Sequence, residues 1–297
     1  MNVLTASRDE LIALVPKIHW YHTIDLGNGL VTPGTYDHRP YLAAYGFPAD
    51  MTGMKVLDVG RASGFFSFEF ERRGADVLAV ELPSPLQKDF VGGDFTRGIK
   101  AEDRTDDERG EHAEYGGRPD FMTAHRLLQS RVRSLYCSIY HLSPEKTGGE
   151  TFDLVFLGSI LNHLANPIAA LTAVRAVTKG LLVVANPFEP ERRQSNPVAR
   201  FVGRDARSLT NWWIPTIACM EEMLIASGFT DVRLVARSLN MKMRSGSRSP
   251  HFVMHASVET SAEAWRHIAK TAPAGYRRFW PRRAAGVVAR KLGLRRR

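Results

Sequence analysis

The sequence predicts a doubly wound α/β fold: a Rossmann-like, mostly parallel sheet of seven strands with an antiparallel hairpin at its edge. Three observations predict it. From Lys55 onward, short apolar runs alternate with helix-length amphipathic segments. The first apolar run ends in a glycine turn that opens a helix. Between the last two runs, Ser245-Gly-Ser-Arg-Ser-Pro250 reads as a turn, so the pair reads as an antiparallel hairpin.

Each element follows in order. Leu11, Leu14, Val15 and Ile18 recur at helical spacing. The stretch HWYHTIDLGNGLVTPGTYDHRP is dense in His, aromatic, Gly and Pro residues and reads as a segment folded over a pocket, or as a plain surface connection. KVLDVG is a buried parallel strand, FFSFEFERRG a helix closed by Gly74, and ADVLAVEL the second strand, which together make a βαβ unit. Residues 83–118 hold many glycines and charges and read as an inserted loop. FMTAHRLLQSRV is then a helix and SLYCSIYHL a strand. FDLVFLGSI is a buried strand, NPIAALTAVRAVT a helix with Pro167 just inside its start, and GLLVVANPF the fifth strand. Residues 190–212 read as irregular, PTIACMEEMLIASG as a helix, and FTDVRLVARSL with HFVMHASV as the closing hairpin. The expected organisation is residues 1–50 as a helix and pocket cover, 51–258 as the ligand-binding domain, and 259–297 as a C-terminal helix and basic tail.

Composition narrows the class. A hydrophobic content of 44% and charged content of 24% describe an ordinary soluble protein. No apolar run reaches the roughly 20 residues that cross a bilayer, and the N-terminus lacks the apolar core of a secretory signal. Two cysteines far apart exclude a disulfide framework and fit a reducing, cytoplasmic setting. The net charge of +9 resides in the tail: residues 275–297 carry nine bases and no acid, and the rest of the chain is formally neutral. A neutral body argues against a nucleic-acid enzyme. The tail, with Phe279, Trp280, Val287, Val288, Leu292 and Leu294 among its bases, leaves three readings open: an anionic membrane surface, nucleic acid, or a solvated end. The oligomeric state is not readable.

The chemistry concentrates at Asp58-Val-Gly60-Arg-Ala-Ser63-Gly64. Small residues there let a ligand approach the backbone at a helix N-terminus. Glu81 closes the next strand, 23 positions after Asp58, where a carboxylate accepts from both hydroxyls of a ribose. The acid that opens the turn would repel a pyrophosphate and suits an ammonium instead. The plain alternative is that Gly60 and Gly64 only tighten a βα turn.

VLDVGRASGFFSFEFERRGADVLAVEL resembles motifs I and II of the class I S-adenosylmethionine-dependent methyltransferases. With WYHTIDL, TPGTYD, RPDFMTAHRLLQSRV, SIYHLSPE, GSILNHLANPIAAL and NWWIPTIACMEEMLIASGF, the span from about His19 to Val258 is similar to a subgroup. That subgroup contains the tRNA wobble-uridine carboxymethyltransferase and bacterial small-molecule and glycan methyltransferases. The resemblance implies S-adenosylmethionine as cofactor. It implies that Asp58, Gly60, Ser63 and Gly64 line its methionine and ribose, and that Glu81 holds the ribose hydroxyls. It further implies that Ser138, Ile139 and Tyr140 bracket the adenine and that Gly158 and Ser159 back the reactive methyl. The carboxymethyltransferase pattern departs here: Asn162-His163 stands where it has Tyr-His, and residues 18–54 contain no lysine. A buried extra carboxylate would lack a partner at a cost of several kcal/mol, so the plain cofactor is expected.

For a base, His163 follows the fourth strand at the sheet's carboxyl edge, where ligands bind. It is either a general base or a capping residue. His22 with Asp25 three residues on is a candidate base and orienter. No metal-ligand spacing emerges. The expected function is O-methylation of a small molecule, sugar or glycolipid. RNA modification and cofactor binding without turnover are the alternatives.

Overall fold

The computed structural model describes residues 3–83, 87–89, 91, 118–188, 195–203 and 210–258. Most of the expected 83–118 insertion and the whole basic tail lie outside the described residues.

The central sheet contains β1 (Lys55–Val59), β2 (Asp76–Glu81), β3 (Arg133–Tyr136), β4 (Phe152–Gly158), β5 (Thr178–Pro187), β8 (Thr230–Lys242) and β9 (Arg248–Ser257). Their order is β3-β2-β1-β4-β5-β9-β8. All neighbours from β3 to β5 pair parallel, and β9 pairs antiparallel with both β5 and β8. The expected seven-stranded sheet with its edge hairpin is present. Strand order reverses between β1 and β4, which opens a crevice at the carboxyl ends of the strands.

Period-two side-chain alternation splits the core into two layers. On one face, Val56, Val77, Ala79, Leu154, Phe156 and Val183 pack under α1 (Arg8–Leu14), α2 (Phe65–Arg72) and α3 (Pro119–Leu127). On the other, Leu57, Val59, Val80, Val155, Leu157 and Val184 meet α4 (Pro167–Val177) and α5 (Ile217–Ala226). Strands covered on both faces must be apolar at nearly every position, which is why the runs were readable.

The N-terminal segment is fixed to the sheet by aromatic packing. Tyr45 and Phe47 meet Phe66, Phe70 and Phe156, with ring centroids 4.9–6.1 Å apart. Each such pair adds about 0.5–1.5 kcal/mol beyond its buried area.

Three local expectations change. The helix after the insertion stops at Leu127, because the chain turns through a left-handed Gln129 (φ 52°). The run 134–142 is strand only to Tyr136. The chain then bends into a 3₁₀ turn at Ile139–His141, where the Ser138 hydroxyl accepts from the Tyr140 N–H. Within residues 190–212, Ala199–Phe201 forms β6 and pairs with β7 (Trp213–Pro215) in a small separate sheet. Among the described residues, no helix is long and apolar enough to cross a membrane.

Candidate active site

A cavity of about 620 Å³ lies over the carboxyl edge of the sheet, within the ~300–1,000 Å³ range of small-molecule sites. One half sits over β1, β2 and β3 and is lined by Asp58–Ala62, Val80–Leu82 and Cys137–Tyr140. The other sits over β4, β5 and β9. Phe156, Gly158–Ile160, Asn162, His163 and His251 line it from the sheet side, and Tyr21, His22, Tyr36 and His38 from the N-terminal segment.

In the first half, Glu81 ends β2 and lines the cavity. Its Oε1 accepts from the Leu82 N–H (2.9 Å) and its Oε2 from the Ala62 N–H (3.3 Å), so the carboxylate is oriented before any ligand arrives. Gly60 has φ 78°, and a Cβ there would lie 2.8 Å from Ile160 Cδ1. The left-handed conformation favours glycine, and any larger residue would also have to displace the Ile160 side chain. Asp58 is buried and accepts from Ser67 Oγ at 2.5 Å. Burial pushes its pKa up to about 6; the Ser67 hydrogen bond and then the Arg61 charge oppose the rise. Arg61 is buried between the rings of Phe121 and Tyr136, 4.0 and 5.1 Å from their centroids, and donates to Tyr136 Oη (2.9 Å).

Ser63 and Gly64 do not line the cavity. The Ser63 hydroxyl is fully buried, donates to Asp120 Oδ2 (2.5 Å) and accepts from the Tyr21 and His22 N–H groups (3.0 and 3.3 Å). It ties the glycine turn to the N-terminal segment. Gly64 is the left-handed N-cap of α2, packed so tightly that a Cβ would meet Phe121 at 2.6 Å. Ser138, Ile139 and Tyr140 line the cavity as the bend after β3. Tyr140 Oη donates to the Asp89 carboxylate, which also accepts from the Ala165 N–H (2.7 Å). A Cβ on Gly158 would lie 2.8 Å from the Phe156 ring.

His163 ends a 3₁₀ turn after β4 and lines the cavity. Its Nδ1 lies 2.9 Å from the Thr210 carbonyl. A carbonyl only accepts, so Nδ1 carries the proton and Nε2 keeps a lone pair. Burial lowers its pKa, against the opposing pull of that carbonyl, so the ring is neutral at pH 7.

His22 and Asp25 are not brought together. Asp25 is exposed at the tip of a hairpin, where its carboxylate caps the Gly27 N–H (2.9 Å) and its backbone bridges Val31. His22 is buried at the other end, bridged to Tyr36, and its Nδ1 accepts from the Phe65 N–H (3.4 Å). Burial, then His38 and Arg118, holds its pKa well below 6.5. It is a neutral wall residue without a carboxylate orienter.

Sequence reasoning missed His38, Asp120 and His251. His38 lines the cavity with Nδ1 3.0 Å from Tyr45 Oη, and burial lowers its pKa to about 3. His251 Nε2 lies 2.8 Å from Ser159 Oγ, and burial lowers its pKa to about 4. Its one visible signal was a histidine opening a strand that otherwise reads apolar. Trp212 and Trp213 stand behind the cavity, donating to the Asp89 and Ala165 carbonyls (2.8 and 3.2 Å). Among the described residues, no three His, Cys, Asp or Glu side chains are grouped to hold a metal ion.

No family model matches the sequence, and no curated protein is significantly similar to it. Solved structures are similar in fold. The N-terminal domain of EvdMO1 with S-adenosylhomocysteine (SAH) bound superposes with a TM-score of 0.51 at 14% identity, covering 86% of this chain and 98% of that one. This chain has the α/β methyltransferase fold. The same EvdMO1 domain in the presence of SAH and D-fucose gives 0.50 over the same extents. The 1,6-didemethyltoxoflavin-N1-methyltransferase of Burkholderia thailandensis, with SAH bound, gives 0.45 at 19% identity over 69% of this chain and 71% of that one.

Proposed function

We propose that this protein is a methyltransferase that uses S-adenosylmethionine to methylate a hydroxyl of a small molecule, sugar or glycolipid. The observation that carries this is the Glu81 carboxylate, pinned by two backbone N–H groups at the end of β2 and turned into the cavity beside the glycine turn. A carboxylate held so can accept from two adjacent ribose hydroxyls without reorganising.

The residues fit the cofactor. Gly60 and Gly158 line the cavity and pack against Ile160 and the Phe156 ring, so neither adds a side chain of its own there. Asp58 is a buried carboxyl whose ionised form lacks a salt bridge, and a ligand ammonium nearby favours ionisation. Ser138, Ile139 and Tyr140 offer the adenine site. S-adenosylmethionine supplies a methyl group already activated on a sulfonium. The chain's remaining work is to align the acceptor about 3 Å from that carbon and to accept a proton. His163 Nε2, with its lone pair set by the Thr210 carbonyl, is the base assigned to that proton.

Calorimetry with SAH and with S-adenosylmethionine tests the cofactor. Micromolar binding by the native protein, weakened about tenfold or more in Glu81→Ala, is expected. No affinity for either compound overturns the proposal. With a labelled methyl donor and a panel of hydroxylated small molecules, His163→Ala is expected to lower turnover about 10²–10⁴-fold while SAH affinity stays native.

A further inference from the structure

The cavity half over β4, β5 and β9 presents hydrogen-bond acceptors at three positions within one five-residue turn. His251 Nδ1 lies 3.1 Å from the Ser249 carbonyl, which can only accept, so the proton is on Nδ1 and Nε2 holds a lone pair. Ser159 Oγ, 2.8 Å from that Nε2, must therefore donate to it. The hydroxyl proton is committed, and only oxygen lone pairs remain for a ligand. His163 is locked the same way by Thr210, which leaves Nε2 as an acceptor. Between them, Asn162 is 6% exposed. Its Nδ2 donates to Asn211 Oδ1 (3.0 Å), while its Oδ1 is buried with no hydrogen-bond partner. An unsatisfied buried acceptor costs about 1–3 kcal/mol.

All three residues line the cavity. Ser159 is held there in a left-handed conformation (φ 52°) by its own N–H, which donates to the Ala185 carbonyl at 2.7 Å. Such backbone strain persists only where the surroundings impose it. The nearby carboxylate of Asp89 is already committed to Tyr140 and the Ala165 N–H.

We propose that Ser159, Asn162 and His163, with His251 fixing the direction of the serine hydroxyl, form a donor-reading face that selects a methyl acceptor carrying adjacent hydroxyl groups. One hydroxyl donates to His163 Nε2. Its neighbour donates to Ser159 Oγ, beside the unpaired Asn162 Oδ1. His251 is a positioning residue: its Nε2 accepts from the serine hydroxyl and so sets the serine's polarity. The substrate class rests on the methyl-transfer reading; the hydrogen-bond polarity of the face does not.

The test is calorimetric and runs with and without SAH, whose own affinity is measured first so that failure of the cofactor reading is seen separately. Two probe pairs are titrated: catechol against 1,2-dimethoxybenzene, and methyl β-D-glucopyranoside against its per-O-methyl ether. In at least one pair the hydroxylated member is expected to bind about tenfold more tightly, the worth of two neutral hydrogen bonds. Ser159→Ala is expected to cut that preference to about threefold or less with SAH affinity unchanged. His251→Phe frees the serine proton and is expected to narrow the preference by improving binding of the ether. The proposal is overturned by equal affinities in both pairs, by failure of both hydroxylated probes to bind, or by a preference that survives in Ser159→Ala. It is also overturned if Ser159→Ala weakens SAH and leaves the preference intact, because Ser159 then serves the cofactor.

Discussion

Replacing Asp58 with asparagine is expected to stabilise the ligand-free protein at pH 8 and to weaken ligand binding. The carboxyl is 2% exposed, and burial moves its pKa from 3.8 to about 6. The folded pKa lies above the unfolded one, so the folded state binds this proton more tightly. The penalty for keeping the group ionised is therefore absent below about pH 4, grows as pH rises through the interval, and is complete above about pH 6. That interval corresponds to about 3 kcal/mol. Asparagine is uncharged and its Oδ1 can still accept from Ser67 Oγ, so most of the relief is retained: about 1–3 kcal/mol. Urea unfolding of both proteins at pH 4.5 and pH 8 checks this, with a gap that opens at the higher pH. Calorimetry with SAH should show binding weakened about 10–100-fold, the range for a charge-assisted hydrogen bond. A variant no more stable than the native protein at pH 8 would refute the reasoning, because burial would then not be what raises the pKa.

Three further outcomes follow from the same geometry. His38, His251 and His255, with pKa values lowered by burial to about 3, 4 and 4, fold in their neutral forms. Stability is full above about pH 6.5 and falls on acidification toward those values, by up to about 1.4 kcal/mol per pH unit for each; an equal urea midpoint at pH 7.5 and pH 5 would contradict this. Gly34→Ala places a Cβ 2.0 Å from the His22 carbonyl carbon, so the N-terminal hairpin must open. A loss of more than about 2 kcal/mol is expected, and an unchanged Tm would mean the hairpin is not packed as described. Ala62 is left-handed (φ 48°) inside the glycine turn. Ala62→Gly should remove about 1–2 kcal/mol of strain against about 0.4–1 kcal/mol of added unfolded-state entropy, for a small net rise in Tm.

What was legible depended on range. The β1–α2–β2 unit was readable because period, glycine turn and terminal acid all act within 27 residues, and both faces of each strand are covered. Glu81 and Gly60 stood out for the same reason. The cavity half over β4, β5 and β9 is hidden in the sequence because it is assembled from distant segments. His251 meets Ser159 across 92 positions, and nothing local to either predicts the other. The three-residue spacing of His22 and Asp25 suggests proximity, whereas the hairpin sends one residue inward and the other to its tip. Ser63 was misplaced because a small residue in a ligand-facing turn looks like a ligand contact. Its hydroxyl instead bonds two amides 41 and 42 positions earlier.

That last contact has an engineering consequence. The single Ser63 oxygen clamps the glycine turn to the N-terminal segment that walls the other half of the cavity, so the two halves are not separable modules. Transplanting a new N-terminal wall from another protein requires residues 20–23 and position 63 to travel together. Moving the wall alone would strand two amide protons and loosen the loop that was left behind.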